Sequence, residues 1–384
     1  MLLLFLLFNG LPLVGLFFDF SQLSFVDARD AIFLQCLGMF FAMFGYVVFF
    51  LCVRVANKPA WLSEAQCDLS IWFFILSCLL VLAGAMSVLL QIQTAVGLEY
   101  YVGKFLAGEA SSELREYYLT PSSQGGLPGY VKMFHIFPVA VFLAAFSLRV
   151  HGSFVARCRH RLSFLTALAF IVSVFCSVLV MNRIVFLAIA IAVSIAFLVR
   201  LNFTWLRLAT ISTLFAGLFL MLDFLSGSRL KGFGVADFVF LYSKLGIYNF
   251  QKVLETLGCN SFGFSLVLSP ANFVLSTLVG TDFECKNYEW IWNPAQNLFS
   301  YLYVDFGLFF LCFLAGFGFF LAYIQKRFSM QKLIFIPAYY MIAWGLSTSF
   351  TVPVFRSFEF LFSLVSMLTL FCIFIRYPLS KGRL

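Results

Sequence analysis

What constrains this chain most is the recurrence of long apolar runs that carry no charge. Residues 1–18, 31–53 and 71–92 are the first three, and the pattern continues to residue 375. A helix of ~20 such residues crosses the hydrocarbon of a bilayer, whereas a lipid-facing strand reads as an alternating segment of only ~10 residues. The runs therefore predict an all-α polytopic membrane protein, a single integral membrane domain over 1–384, and they exclude an outer-membrane barrel. With 62% hydrophobic and 11% charged residues and a mean hydropathy of +0.99, the chain also excludes a soluble enzyme, a nucleic-acid-binding domain and a disordered protein.

Hydropathy predicts ten spans, at about 1–18, 31–53, 71–92, 133–148, 162–181, 184–199, 205–224, 298–324, 333–354 and 360–375, with both termini on one side. The first run has no basic n-region and no small-residue cleavage site, so it reads as a retained span rather than a signal peptide. Orientation follows from alternate connections. The side holding the C-terminus collects Arg54, Lys58, Arg149, Arg157, Arg159, Arg161, Arg200, Arg207, Lys326, Arg327, Lys332, Arg376, Lys381 and Arg383. Fourteen of the 25 basic residues thus meet only Glu64 and Asp68 of the 17 acidic ones, and that side is predicted to be cytoplasmic.

Two connections are long, 95–132 and 226–297, and both fall on the extracytoplasmic side. Recognition or chemistry belongs there more readily than in tight turns. The first carries an acidic helical stretch, Glu109 to Leu119, and then the turn-rich run Thr120 to Gly129. In the second, Phe250, Val253, Leu254 and Leu257 recur at helical spacing, and Ser269-Pro270 reads as an N-cap with proline at the first helical position. These elements are expected as amphipathic helices at the membrane surface, or as a lid over the bundle. Of the ten cysteines, Cys259 and Cys285 lie in this loop, outside the reducing compartment, and are expected to form a disulfide. No C-x-x-C occurs, and no metal or cofactor is expected.

Arginine has a rigid fork of donors suited to phosphate, and it is costly within lipid. Arg183 in Met181-Asn182-Arg183, Arg229 in Gly227-Ser228-Arg229-Leu230-Lys231 and Arg356 in Pro353-Val354-Phe355-Arg356-Ser357 all sit at span boundaries on the extracytoplasmic face. Each alone is a snorkelling residue; three at one depth, on the face poorer in positive charge, also suit an anion site, with Lys231 in reserve.

The segment 293–307 reads Asn293-Pro294-Ala295-Gln296-Asn297-Leu298-Phe299-Ser300-Tyr301-Leu302-Tyr303-Val304-Asp305-Phe306-Gly307. It resembles the oligosaccharide repeat-unit polymerases of bacterial inner membranes, the O-antigen and capsular polysaccharide polymerase family, in which an Asn and aromatic residues precede a span beginning near Asp-Phe-Gly. The Asn182-Arg183 turn before a helix of small aliphatics is similar to the arginine-led segment of that family and of the O-antigen ligases. The ligases carry a His beside the Asn. Here Gln296 stands in that place, and the three histidines, His135, His151 and His160, lie elsewhere.

The resemblance implies a bundle like that of the C-type lipid-linked glycosyltransferases, with its active site facing the periplasm and no metal. It implies transfer of a growing glycan from one undecaprenyl-diphosphate carrier to a hydroxyl of the next lipid-linked repeat unit, with a chain-length regulator protein as a partner. Arg183 and Arg229 would stabilise the departing diphosphate with Arg356 and Lys231 beside them, and Glu289 would be the base. Glu284, Asp282, Asp237 and Asp305 remain alternative bases. Trp290 and Trp292 would stack on sugar rings, or serve only as an interfacial belt. Gln296, Asn297 and Asp305 complete the substrate-binding set, though Asp305 equally suits a helix cap. The alternative functions are a transporter or flippase of lipid-linked oligosaccharide, an O-antigen ligase, and a scaffold. A transporter would be expected to place ionisable residues mid-span, whereas Asp223 and Asp305 sit near span ends.

Overall fold

The computed structural model describes residues 1–15, 28–53, 67–106, 129–152, 154–180, 184–200, 235–258, 297–330, 333–349 and 357–376, with positions 213, 217, 271, 272 and 275. These residues are almost entirely helical. In chain order the helices are α1 (Leu2–Gly15), α2 (Arg29–Cys52), α3 (Ile71–Ala95), α4 (Leu98–Leu106), α5 (Gly129–Lys132), α6 (Phe137–His151), α7 (Ala156–Val180), α8 (Ile184–Arg200), α9 (Val235–Thr256), α10 (Leu298–Phe306), α11 (Phe310–Ser329), α12 (Phe335–Ser347) and α13 (Phe358–Phe374). Short 3₁₀ turns, Met133–Ile136 and Gly307–Phe309, lead into α6 and α11. Two dipeptides, β1 (Asp68–Leu69) and β2 (Ile375–Arg376), pair antiparallel.

Among the described residues, five segments are long and apolar enough to cross a membrane: Arg29–Cys52, Ile71–Ala95, Met133–His151, Ala156–Val180 and Leu298–Ser329. Val185–Phe197 and Glu359–Phe374 are apolar but shorter. Of the expected span 205–224 only positions 213 and 217 are described, both helical.

Three differences from the hydropathy reading bear on the architecture. The helix expected at 162–181 begins six residues earlier, at Ala156, because arginine is a good helix former even where hydropathy ends. Arg157, Arg159, His160 and Arg161 are therefore helical residues rather than loop. The run 298–324 is not one helix: Gly307, at φ 54°, closes α10 before α11 begins. The helix expected at 333–354 ends at Ser347 and passes into a turn at Thr348 and Ser349.

The chain divides into two compact units. The first comprises Met1–Lys58, Ala236–Met330 and Gly345–Leu361. Its main packing is α2 against α11, which run side by side from Gly38 at Leu314 to Phe49 at Tyr323. The approach is close because the facing residues are small. A Cβ on Gly45 would lie 1.8 Å from the Ala315 carbonyl oxygen, and one on Gly318 would lie 1.9 Å from that of Ala42. Glycine at such a crossing lets backbones touch, and helix association in lipid depends on that dispersion contact. The helix α9 joins the same unit. Leu245, Ile247, Asn249, Phe250 and Val253 are buried there, with Val253 and Leu257 packed on Val304 and Tyr303. Its middle is thus a core element, whereas a surface amphipathic helix would bury one face only.

The second unit comprises Pro59–Val235, Gln331–Trp344 and Phe362–Leu384. Its centre is α6, nearly every residue of which from Phe137 to Leu148 is buried, as an all-round apolar helix requires. The helices α3, α7 and α8 surround it. Gly84 of α3 admits Pro138, whose Cδ would lie 2.4 Å from a Cβ there. At one end of this unit β1 meets β2, Ser70 N–H donates to Phe374 O at 3.0 Å, and Val155 N–H donates to Cys67 O at 3.2 Å. Residues 67–70, 154–155 and 374–376 therefore gather at a single end. At the other end of α3 and α7 the buried Tyr101 hydroxyl donates to the Leu179 carbonyl.

Candidate functional site

The segment with the strongest sequence pattern folds into α10, and its first residue shows why the helix starts there. Asn297 takes an extended conformation, and its Oδ1 accepts from Ser300 N–H at 2.9 Å, an N-cap that satisfies one orphan donor. At the other end Asp305-Phe306-Gly307 stops the helix, since a residue without Cβ accepts the positive φ at low cost. Asp305 is 1% exposed, so it lies in the interior of the unit rather than at a solvated cap.

Around Asn297 the first unit assembles a chain of buried amides and hydroxyls. Asn297 Nδ2 donates to Gln35 Oε1 at 2.9 Å, and Gln35 Nε2 donates to the Asn9 carbonyl at 2.7 Å. Asn9 Nδ2 donates to Ser349 Oγ at 2.8 Å and to the Phe5 carbonyl at 2.9 Å. The Ser349 carbonyl closes the circuit by accepting Leu298 N–H at 2.9 Å. Alongside, Gln251 Oε1 of α9 accepts Ala31 N–H at 3.0 Å at the start of α2. Asn9, Gln35, Asn297, Ser300 and Ser349 are all fully buried. Polar groups cost several kcal/mol when left unpaired in an apolar medium, so a connected network is the form in which they are tolerated. Among the described residues, Asn9 Oδ1 and Ser300 Oγ of this network have no hydrogen-bond partner. Neutral amides and hydroxyls of this kind bind other hydroxyls and carry no charge of their own.

Asn9, Gln35, Gln251 and Ser349 were not among the residues singled out from sequence. Their signal was present in a weak form: Asn9 and Gln35 are lone polar residues inside apolar runs, which in a membrane helix calls for a partner. Of the site residues expected from sequence, the structure describes Asn297 and Asp305. Arg183, Arg229, Lys231, Glu289, Trp290, Trp292, Gln296 and Arg356 lie outside the described residues, as do Asp282, Glu284 and the Cys259 and Cys285 pair. Asp237 falls on α9.

The histidines have distinct surroundings. His160 is exposed near the start of α7. His151 is half-buried, and its Nε2 hydrogen-bonds the Tyr340 hydroxyl at 2.7 Å. His135 sits at the foot of α6, its Nδ1 2.6 Å from the Lys132 carbonyl, and with Ser173, Cys176 and Ser177 it lines a cavity of about 20 Å³. That is room for roughly one water. Among the described residues no group of three His, Cys, Asp or Glu side chains is placed to hold a metal ion.

Fold and site together define a helical, multi-pass membrane protein with a buried polar network in one of its two units. No family model, curated protein or solved structure matches the chain.

Proposed function

We propose that this chain is a membrane glycosyltransferase that polymerises undecaprenyl-diphosphate-linked oligosaccharide repeat units for O-antigen or capsule synthesis. The observation that supports it is the Asn297–Gly307 element, a helix capped by a buried asparagine and ended by Asp305-Phe306-Gly307. In the proposed topology ten spans leave both long connections on the periplasmic side of the inner membrane. A hydroxyl of the incoming unit attacks the anomeric carbon of the growing glycan, and the lipid diphosphate departs. Arg183 and Arg229 meet the charge that develops on the diphosphate, with Arg356 beside them and Lys231 in reserve, and Glu289 accepts the hydroxyl proton. Trp290, Trp292 and Gln296 would hold the sugars. Asn297 would act by fixing the start of the span below them.

The test is surface glycan from a strain lacking the chain. Single repeat units on the lipid core agree with a polymerase; loss of every unit indicates a flippase or ligase instead. In complemented strains, Arg183→Ala or Arg229→Ala should shorten the glycan severely at unchanged protein level, with poor rescue by Lys, because a point charge cannot replace a bidentate fork. Loss of a charge-assisted contact of ~1.5 to 3 kcal/mol corresponds to a roughly 10- to 150-fold slower step. Wild-type chain lengths in all four strains would remove these arginines from the mechanism.

A further inference from the structure

Between the first turns of α3 and α7, in the second unit, lies a groove of about 520 Å³. Its walls are apolar and open outward: Phe164 is 66% exposed, Leu79 55%, Ile71 44% and Ile75 41%. One rim is cationic. His160 and Arg161 line it, and the Arg161 guanidinium stands 5.7 Å over the Phe74 ring. Arg157 and Arg159, both exposed, lie one turn or less before them, and Arg149 adds a further cation whose Nε donates to Ser163 Oγ at 2.8 Å.

Three arginines and a histidine thus crowd the first two turns of a helix with no acidic residue in its first turn. That is the unfavourable end for cations, because the free N–H groups there already carry positive potential. Asp68 lies near this end, close enough to act electrostatically on Cys158 together with Arg161, and its Oδ1 accepts the Leu69 N–H at 2.9 Å. Among the described residues no carboxylate forms an ion pair with Arg157, Arg159 or Arg161. A rim of arginines with no ion-paired carboxylate among the described residues, beside an outward-facing apolar trough, matches one occupant in both parts.

We propose that this groove binds an anionic phospholipid, with an acyl chain along Ile71, Ile75, Leu79 and Phe164 and its phosphate at His160 and Arg161. A zwitterionic lipid fits the trough equally well but brings an ammonium group against the arginines. Generic snorkelling gives each arginine some lipid phosphate without selecting a lipid. The groove differs because chain and headgroup are held by one site.

The test uses the full chain purified in micelles, with native mass spectrometry counting retained lipid during titration with phosphatidylglycerol or phosphatidylcholine of equal chain length. Phosphatidylglycerol should be retained at roughly tenfold lower concentration, and Arg161→Gln should weaken it by roughly fivefold, the worth of one basic charge near an anionic surface. Leu79→Trp fills the trough while leaving every cation in place, and it should abolish the retention as well. Because Leu79 projects outward, that variant keeps the fold even where Arg161→Gln does not. Equal retention of the two lipids, a preference that survives both changes, or displacement by millimolar inorganic phosphate would each overturn the proposal.

Discussion

The crossing of α2 and α11 offers the sharpest test of how the first unit is held together. Gly45→Ala places a Cβ 1.8 Å from the Ala315 carbonyl oxygen, where ordinary contact begins near 3.4 Å, so the helices must part by about 1.6 Å. The obstacle is helix backbone, which cannot swing aside as a flexible side chain would. Overpacking of this kind costs up to about 3 kcal/mol, and replacing a helical glycine by alanine returns at most ~1 kcal/mol. A net loss near 2 kcal/mol remains, roughly a 30-fold change in the ratio of folded to unfolded protein. Gly318→Ala should behave alike, since its Cβ would lie 1.9 Å from the Ala42 carbonyl oxygen. Gly316, two residues away in the same helix, has nothing within 4 Å of an added Cβ, so Gly316→Ala should be neutral or slightly stabilising. The assay is thermal unfolding of the purified chain in micelles, read by loss of the monodisperse peak in size exclusion. Midpoints should fall by about 4 °C or more for Gly45→Ala and Gly318→Ala only. If all three variants lose the same amount, close approach is not what glycine provides here.

Further outcomes are expected elsewhere. Asn297→Ala removes the α10 cap and leaves Gln35 Oε1 without its donor, so it should cost about 2 kcal/mol, whereas Asn297→Ser keeps a capping oxygen and loses the Gln35 contact, so it should cost less; unfolding midpoints separate the two. Burial pushes the Cys67 thiol above its ordinary value of 9.0, so its alkylation, followed by mass spectrometry, should stay slow at neutral pH and accelerate only above about pH 9. Mass spectrometry of a non-reduced digest should recover Cys259 and Cys285 as one linked pair, a bond worth ~3 kcal/mol in the chain-entropy model; two free thiols would remove it. A phosphatase fused near residue 270 should be active and one after Arg383 inactive, and the reverse would invert the orientation.

Much of the architecture was legible because hydropathy is a local property. Whether twenty residues prefer lipid to water depends on those residues alone, so α2, α3 and α7 could be placed from composition along the chain. The same locality explains where the reading stopped short. A hydropathy window ends where charge begins, and so it truncated α7 before Arg157 and Arg159, although arginine sustains a helix well. It also passed through Gly307, because an apolar run gives no sign that one residue within it adopts a positive φ.

The site divides in the same way. Asn297 and Asp305-Phe306-Gly307 were visible in the sequence as a pattern, but the cap at one and the break at the other appear only in the structure. Their surroundings were not. Asn9, Gln35 and Ser349 belong to three separate runs, and Asn297 lies 262 residues from Gln35. Which amide meets which is set by how α1, α2, α10 and the end of α12 pack, a matter of small residues meeting at Gly45 and Gly318 rather than of any motif. The sequence alone determined that the chain carries several long apolar helices suited to a bilayer, and roughly where five of them run. The tertiary structure decided which of its few polar side chains come together, because a hydrogen bond requires two groups within about 3 Å, and only packing brings distant segments that close.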